Sequence, residues 1–139
     1  MTKIFLKIDG DPIAKKRPRF CVRAGFAKAY DIQGTEIDTF QARVKKQYWE
    51  EPIDSPISIK LKYFMPMPKS WSKKRKLEKE SQVHDSKPDC DNLIKFTTDC
   101  LNGLVYRDDA LIYEIYAIKV YSSEPRTEIE INTFANTIL

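Results

Sequence analysis

Along Ile57-Ser58-Ile59-Lys60-Leu61-Lys62-Tyr63-Phe64-Met65 apolar and polar residues alternate with period two, the pattern of a strand with one face buried. Upstream, Ile37, Phe40, Val44 and Tyr48 recur at intervals of three and four, which predicts an amphipathic helix from Thr35 to about Tyr48, packed on a sheet, with Arg43, Lys45 and Lys46 outward. The N-terminal stretch to Ile8 reads as a short strand broken by lysines, and Asp9-Gly10-Asp11-Pro12 as a turn. Lys15 to Phe20 follows as a basic loop, because Pro18 cannot sit in a helix interior. Beyond Pro66 and Pro68, a serine-capped short basic helix starts around Ser70–Lys74, and residues 79–86 read as a loose connection. Leu93, Ile94, Phe96, Cys100, Leu101 and Leu104 return to helical spacing until Gly103 stops the helix. Leu111–Tyr121 is a long strand, Ser122–Pro125 a hairpin loop and Thr127–Ile131 the last strand.

The predicted order is β-α-β-α-α-β-β, an α+β fold with a small mixed, largely antiparallel sheet and helices on one face. With 139 residues the chain forms one domain over 1–139, able to bury about two-thirds of its unfolded surface. It has no apolar run near 18 residues and no signal-peptide pattern, so a soluble protein with no membrane partner is expected in the cytoplasm.

Charge changes the picture. The net formal charge of +4 is modest, yet residues 1–30 carry eight basic and two acidic side chains, residues 69–87 seven and three, and residues 89–114 two and six. An acidic centre between basic segments suits an enzyme that draws in a polyanion and works on it at its acids; a solvated surface of uneven charge is the plainer alternative. Lys15, Lys16, Arg17 and Arg19, then Lys73, Lys74 and Arg75, are the candidates for phosphate contacts. The basic arm through residue 86 is expected to order when a polyanion binds, or else to be a solvated lid.

Candidate chemistry concentrates at Lys87-Pro88-Asp89-Cys90-Asp91-Asn92 and Arg107-Asp108-Asp109. Asp89 and Asp91 fall at a helix N-terminus, and Asp91, Lys95 and Asp99 at i, i+4, i+8 share one helix face. Crowded carboxylates repel unless a cation neutralises them, and a hard divalent ion takes such oxygens. The same residues also admit a structural account: an N-cap contributing about 1 kcal/mol and an Asp–Lys pair contributing roughly 0.3–0.5 kcal/mol. Three cysteines and one histidine, His84, argue against a disulfide framework and against a zinc site.

The run K-P-D-C-D-N-L-I-K-F-T-T-D-C-L-N-G-L-V-Y-R-D-D-A-L-I resembles the central signature of the RusA family of Holliday junction resolvases, approximately K-P-D-x-D-N-L-x-K, then D-x-L-N-G, then D-D. The resemblance extends to G-D-P-I-A-K-K-R-P-R-F, to Pro68–Lys74 and to Glu124–Ile129. It is closest to the subgroup carried by phages and prophages of Gram-positive bacteria.

The resemblance implies that Asp89, Asp91 and Asp109 are catalytic carboxylates and metal ligands, with Lys95 the catalytic lysine. Asp99 and Asp108 stand in a second tier, and whether Asp108 or Asp109 is the ligand stays open. The implied chemistry is phosphodiester hydrolysis with Mg²⁺, Mn²⁺ as a substitute and no small-molecule cofactor, leaving a 5′ phosphate. The implied substrate is branched DNA, a four-way junction, whose two-fold symmetry suits a homodimer. A flap- or fork-directed nuclease and a non-catalytic DNA-binding protein are the alternatives. A single shared ion requires the Asp109 side chain within about 8 Å of those of Asp89 and Asp91.

Overall fold

The computed structural model describes residues 2–17, 19–23, 26–30 and 33–134, the 19–30 stretch as backbone alone. The elements are β1 (Lys3–Asp9), β2 (Arg19–Arg23), β3 (Phe26–Tyr30), α1 (Gly34–Gln47), β4 (Ile57–Met65), α2 (Lys73–Lys79), α3 (Cys90–Leu101), a 3₁₀ turn (Asp109–Leu111), β5 (Ile112–Tyr121) and β6 (Arg126–Thr133). The sheet order is β1-β6-β4-β5. β6 is antiparallel to both β1 and β4, whereas β4 and β5 run parallel, which demands a crossover. That crossover carries α2 and α3.

Period two in β4 becomes a buried face. Ile57, Ile59, Leu61, Tyr63 and Met65 lie under the helices with Leu6 and Ile8 of β1 and Ile129 and Ile131 of β6. Phe40 and Val44 of α1 and Leu93, Phe96, Cys100 and Leu101 of α3 close the core from above. Phe40 meets Phe96 edge to face at 5.6 Å, and the Tyr63 hydroxyl pairs with Thr97 Oγ1 at 2.8 Å. Each buried aliphatic or phenyl side chain contributes about 1.5–3 kcal/mol, so α3 is held by packing rather than by its own propensity. The α+β architecture with helices on one face is as expected from the sequence, and β4 spans the residues whose alternation predicts it.

Three expectations are corrected. Ser122–Pro125 does not close a hairpin, because β6 crosses to pair with β1 and β4 instead of β5. The basic segment does not remain a loop to Phe20, because strand β2 begins at Arg19 and pairs with β3 as a separate hairpin. Residues 79–86 are not a loose connection either: Ser81 N and His84 N donate to the carbonyls of Tyr121 and Lys119, and Tyr121 N donates to Gln82 O. The segment docks on the outer edge of β5 through a Val83–Val120 bridge, since an unpaired strand end supplies the hydrogen bonds that its own sequence cannot make internally. The serine cap of α2 is Ser72, whose hydroxyl accepts from Arg75 N.

His84 ties this docked segment to pH. Its ring is buried against Tyr121 at 4.7 Å and its Nδ1 has no hydrogen-bond partner. Burial, and then the charge of Lys119, push its pKa below the usual value against the opposing pull of Asp85. A histidine kept neutral in the fold contributes stability above its unfolded pKa of about 6.5, lost as pH falls through the lower folded value. The urea midpoint should therefore drop between pH 7.5 and pH 5.5, and the drop should shrink in His84→Gln. An equal drop in both proteins would show that another group titrates.

Candidate nuclease site

α3 is the element on which the acids are mounted. Pro88 and Asp89 approach it in extended backbone, and Asp89 takes the N-cap position, but its side chain makes no cap hydrogen bond. Its Oδ1 instead accepts from Lys87 Nζ at 2.8 Å. That hydrogen bond, then the Lys87 charge, with Lys119 adding to it, hold the Asp89 carboxyl below the usual carboxylate range. Asp89 remains half exposed, so a substrate can reach it. Lys119, from β5, donates to the carbonyls of Ser86 at 2.6 Å and Pro88 at 2.7 Å, fastening the approach to α3 onto the sheet.

Asp91, Lys95 and Asp99 are exposed on one face of α3, as i, i+4 spacing requires. The basic segment runs beside this face. Lys15 N donates to Asn92 O at 2.8 Å, and Lys15 Nζ reaches Asp99 Oδ2 at 3.4 Å. Gln33, fully buried, clamps the segment with both ends of its amide: Oε1 accepts from Lys16 N and Nε2 donates to Ala14 O, each at 2.8 Å. An open groove of ≈ 500 Å³ results, lined among others by Lys15, Lys16, Lys87, Asp89 and Asn92. Lys16 and Arg17 are exposed, while the Arg19 side chain lies outside the described residues. Lys73, Lys74 and Arg75 are exposed on α2, with the Arg75 guanidinium 4.4 Å over the Trp71 ring and Trp71 against Tyr121 at 5.1 Å. The α2 cations thus sit at the Tyr121 end of β5, the end to which Lys119 fastens α3.

Asp109 is elsewhere. It opens the 3₁₀ turn that leads into β5, and its two oxygens accept from Tyr106 Oη at 2.9 Å and Asn102 Nδ2 at 3.4 Å. Asn102 is the C-cap of α3. Burial raises the Asp109 pKa, the Tyr106 hydrogen bond opposes the rise, and the charges of Asp99 and Asp108 add to it. Tyr106 is buried and also reaches the Thr98 carbonyl at 2.8 Å, which presets where Asp109 stands. Asp108 caps the turn, its Oδ1 accepting from Ala110 N at 3.4 Å. Buried Gln33 and Tyr106 escaped the sequence reading, because an isolated glutamine and an isolated tyrosine carry no periodic signal.

The structure therefore places Asp99 beside Asp109 towards the C-terminal end of α3 and Asp89 with Asp91 at its N-terminal end, Asp91 and Asp99 standing about 12 Å apart along the helix axis. Among the described residues no group of three or more His, Cys, Asp or Glu side chains is placed to hold a metal ion. Carboxylate oxygens are the donors that Mg²⁺ takes, and Asp89, Asp91 and Asp109 supply them from two separate elements, α3 and the 3₁₀ turn.

An α+β domain in which the solvent face of α3 bears acids and a lysine, bordered by a groove lined with lysines, has cations placed to meet phosphates beside the acids. The family model described as Endodeoxyribonuclease RusA matches residues 9–132, and the chain belongs to that family. A Bacillus subtilis (strain 168) relative, the uncharacterized protein YqaN, is 37% identical over 137 residues, covering 94% of this chain and 96% of its own. A Lactococcus phage r1t relative named as a crossover junction endodeoxyribonuclease rusA is 28% identical over 130 residues, covering 90% of this chain and 92% of its own. Membership supports a nuclease that processes DNA junctions in general terms.

Proposed function

We propose that this chain is a Mg²⁺-dependent, structure-selective endodeoxyribonuclease that resolves four-way DNA junctions by paired symmetric cuts, with Mn²⁺ able to substitute. It acts as a cytoplasmic homodimer in recombination, repair or phage DNA processing. The observation that carries the reading is the Asp91–Lys95–Asp99 face of α3 running alongside the groove of Lys15, Lys16 and Lys87, in a chain of this nuclease family.

Asp89, Asp91 and Asp109 are the carboxylates of the reaction. Lys95 places an ammonium one helical turn from Asp91, where it stabilises negative charge building on the phosphorus oxygens. Lys15, Lys16, Arg17 and Arg19, with Lys73, Lys74 and Arg75, hold the backbone of the arms, so binding weakens steeply with salt. Asp99 pairs with Lys15 at 3.4 Å, and its charge helps to raise the Asp109 pKa.

The test is a substrate panel: a mobile four-way junction, a fork and a linear duplex, each with and without Mg²⁺. Paired nicks that ligase reseals, on the junction and with metal alone, are expected. Equal cutting of the fork would favour a flap- or fork-directed nuclease, and binding without nicking under Mg²⁺ or Mn²⁺ would leave a non-catalytic DNA-binding protein.

A further inference from the structure

Lys15-Lys16-Arg17 is a run of like cations, and each has the charge to pair with an acid of α3. Side-chain chemistry therefore does not choose which of them faces the site. Backbone contacts do. Ala14 O and Lys16 N turn to one side, onto the Gln33 amide at 2.8 Å each, while Lys15 N turns to the other, onto Asn92 O of α3 at 2.8 Å. Such alternation belongs to extended backbone, in which successive side chains point to opposite faces. Lys15 Nζ accordingly reaches Asp99 Oδ2 on α3 at 3.4 Å, whereas Lys16 Nζ reaches Glu36 Oε1 on α1 at 3.7 Å. The two lysines are adjacent in sequence and serve different helices.

Gln33 gives up a local role to make this contact. It is the N-cap residue of α1, yet its side chain makes no cap hydrogen bond, at a position where Ser, Thr, Asp and Asn are preferred because they do. Its amide is instead fully buried against residues 14 and 16, with Glu36 Oε1 as a further acceptor at 3.5 Å. One acceptor and one donor on the same planar group match the N–H of a residue and the C=O two residues before it, as a neighbouring strand would. Ile13 and Ala14 pack against the core, so the segment enters the site anchored at one end. Beyond that anchor, a half-turn about its own axis would exchange Lys15 and Lys16, and their equal charges would not resist it. The clamp does, because a half-turn would strip a buried amide of its partners.

We propose that Gln33 is a positioning residue that fixes which lysine of the basic segment faces the acids, Lys15 toward α3 and Lys16 toward α1. Lys15 is thereby the cation that meets a phosphate beside those acids, and Lys16 the one that holds the backbone leading away from them. This deepens the junction-nuclease reading and rests on it for the roles of the two lysines, while their orientation is tested without DNA.

A carbodiimide condenses a lysine amine with a carboxylate it touches, leaving an amide with no spacer. Peptide mass spectrometry on the treated, unsubstituted chain should find Lys15–Asp99 and Lys16–Glu36 amides, with little Lys15–Glu36 or Lys16–Asp99. Gln33→Met, similar in length but without the amide, should yield the crossed products at comparable levels. Gln33→Glu keeps an acceptor for Lys16 N, loses the donor to Ala14 O, and should fall between; it decides the matter if far-ultraviolet dichroism shows Gln33→Met unfolded. Crossed products as abundant as direct ones in the unsubstituted chain, or an unchanged pattern in a folded Gln33 variant, overturns the assignment. On a four-way junction, Lys15→Gln should slow cutting about tenfold more than Lys16→Gln, the fold-change of one charge-assisted hydrogen bond. In the Gln33→Met background the two lysine substitutions should become equivalent, a convergence that general destabilisation would not produce, since it lowers both alike. Equal effects of the two substitutions with Gln33 in place overturn the division of roles. Wholly inactive unsubstituted protein would instead count against the nuclease reading, leaving the cross-links to decide the orientation.

Discussion

Asp89→Asn is expected to bind a four-way junction as tightly as the unsubstituted chain and to leave it uncut. The Asp89 side chain makes no cap hydrogen bond, and asparagine is as good an N-cap residue as aspartate, so the helix loses at most a few tenths of a kcal/mol. What disappears is a carboxylate held ionised by Lys87 and Lys119 and half exposed beside the lysine groove. Removing one preorganised charged group from a reacting centre costs on the order of 10²–10³-fold in rate. Binding should hold or tighten slightly, because one negative charge leaves a surface that meets phosphates. Gel-shift affinity and single-turnover cutting, measured on one preparation, separate the two. Cutting within threefold of the unsubstituted rate would remove Asp89 from the reaction.

The largest effect on stability is expected from Phe96→Ala, a loss of about 3–5 kcal/mol. Phe96 is 1% exposed and stands edge-on to Phe40, so truncation leaves a cavity between α1 and α3 that neither helix can close without leaving the sheet. One turn of α3 beyond Lys95 is thereby loosened, and cutting should fall with stability. Trp49→Ala is the control: Trp49 is larger but 80% exposed, and its loss should fall within about 0.5 kcal/mol. Urea midpoints for the two variants check the contrast, and comparable losses would show that α3 is not seated by this contact.

Much of the fold is legible in the chain because burial imposes a period. β4 alternates and is covered on one face, α1 and α3 repeat at three and four and are covered on one stripe, and the match between period and burial is what a sequence can display. The β2–β3 hairpin was not legible, since its pairing of Arg19 with Tyr30 and Cys21 with Lys28 belongs to a two-stranded unit outside the main sheet. Docking of residues 81–84 on β5 was hidden for a related reason, as backbone hydrogen bonds to an edge leave no pattern in side chains. Within the site, the Asp91–Lys95–Asp99 face follows from helix geometry alone. Gln33 and Tyr106, which fasten the Lys15 segment and Asp109, are single contacts between residues far apart or across a turn.

What the amino-acid order determined by itself is local: which residues are strand, which helix, and that acids cluster around one helix between two basic stretches. Only the tertiary structure decided that β5 lies parallel to β4 at the edge, that α3 runs back along it, and that Asp109 consequently stands at the far end of α3 from Asp89. Spacing along a chain sets neighbours within one element, where geometry repeats every few residues. The distance between side chains on different elements is set by how the core packs, and no local period encodes it.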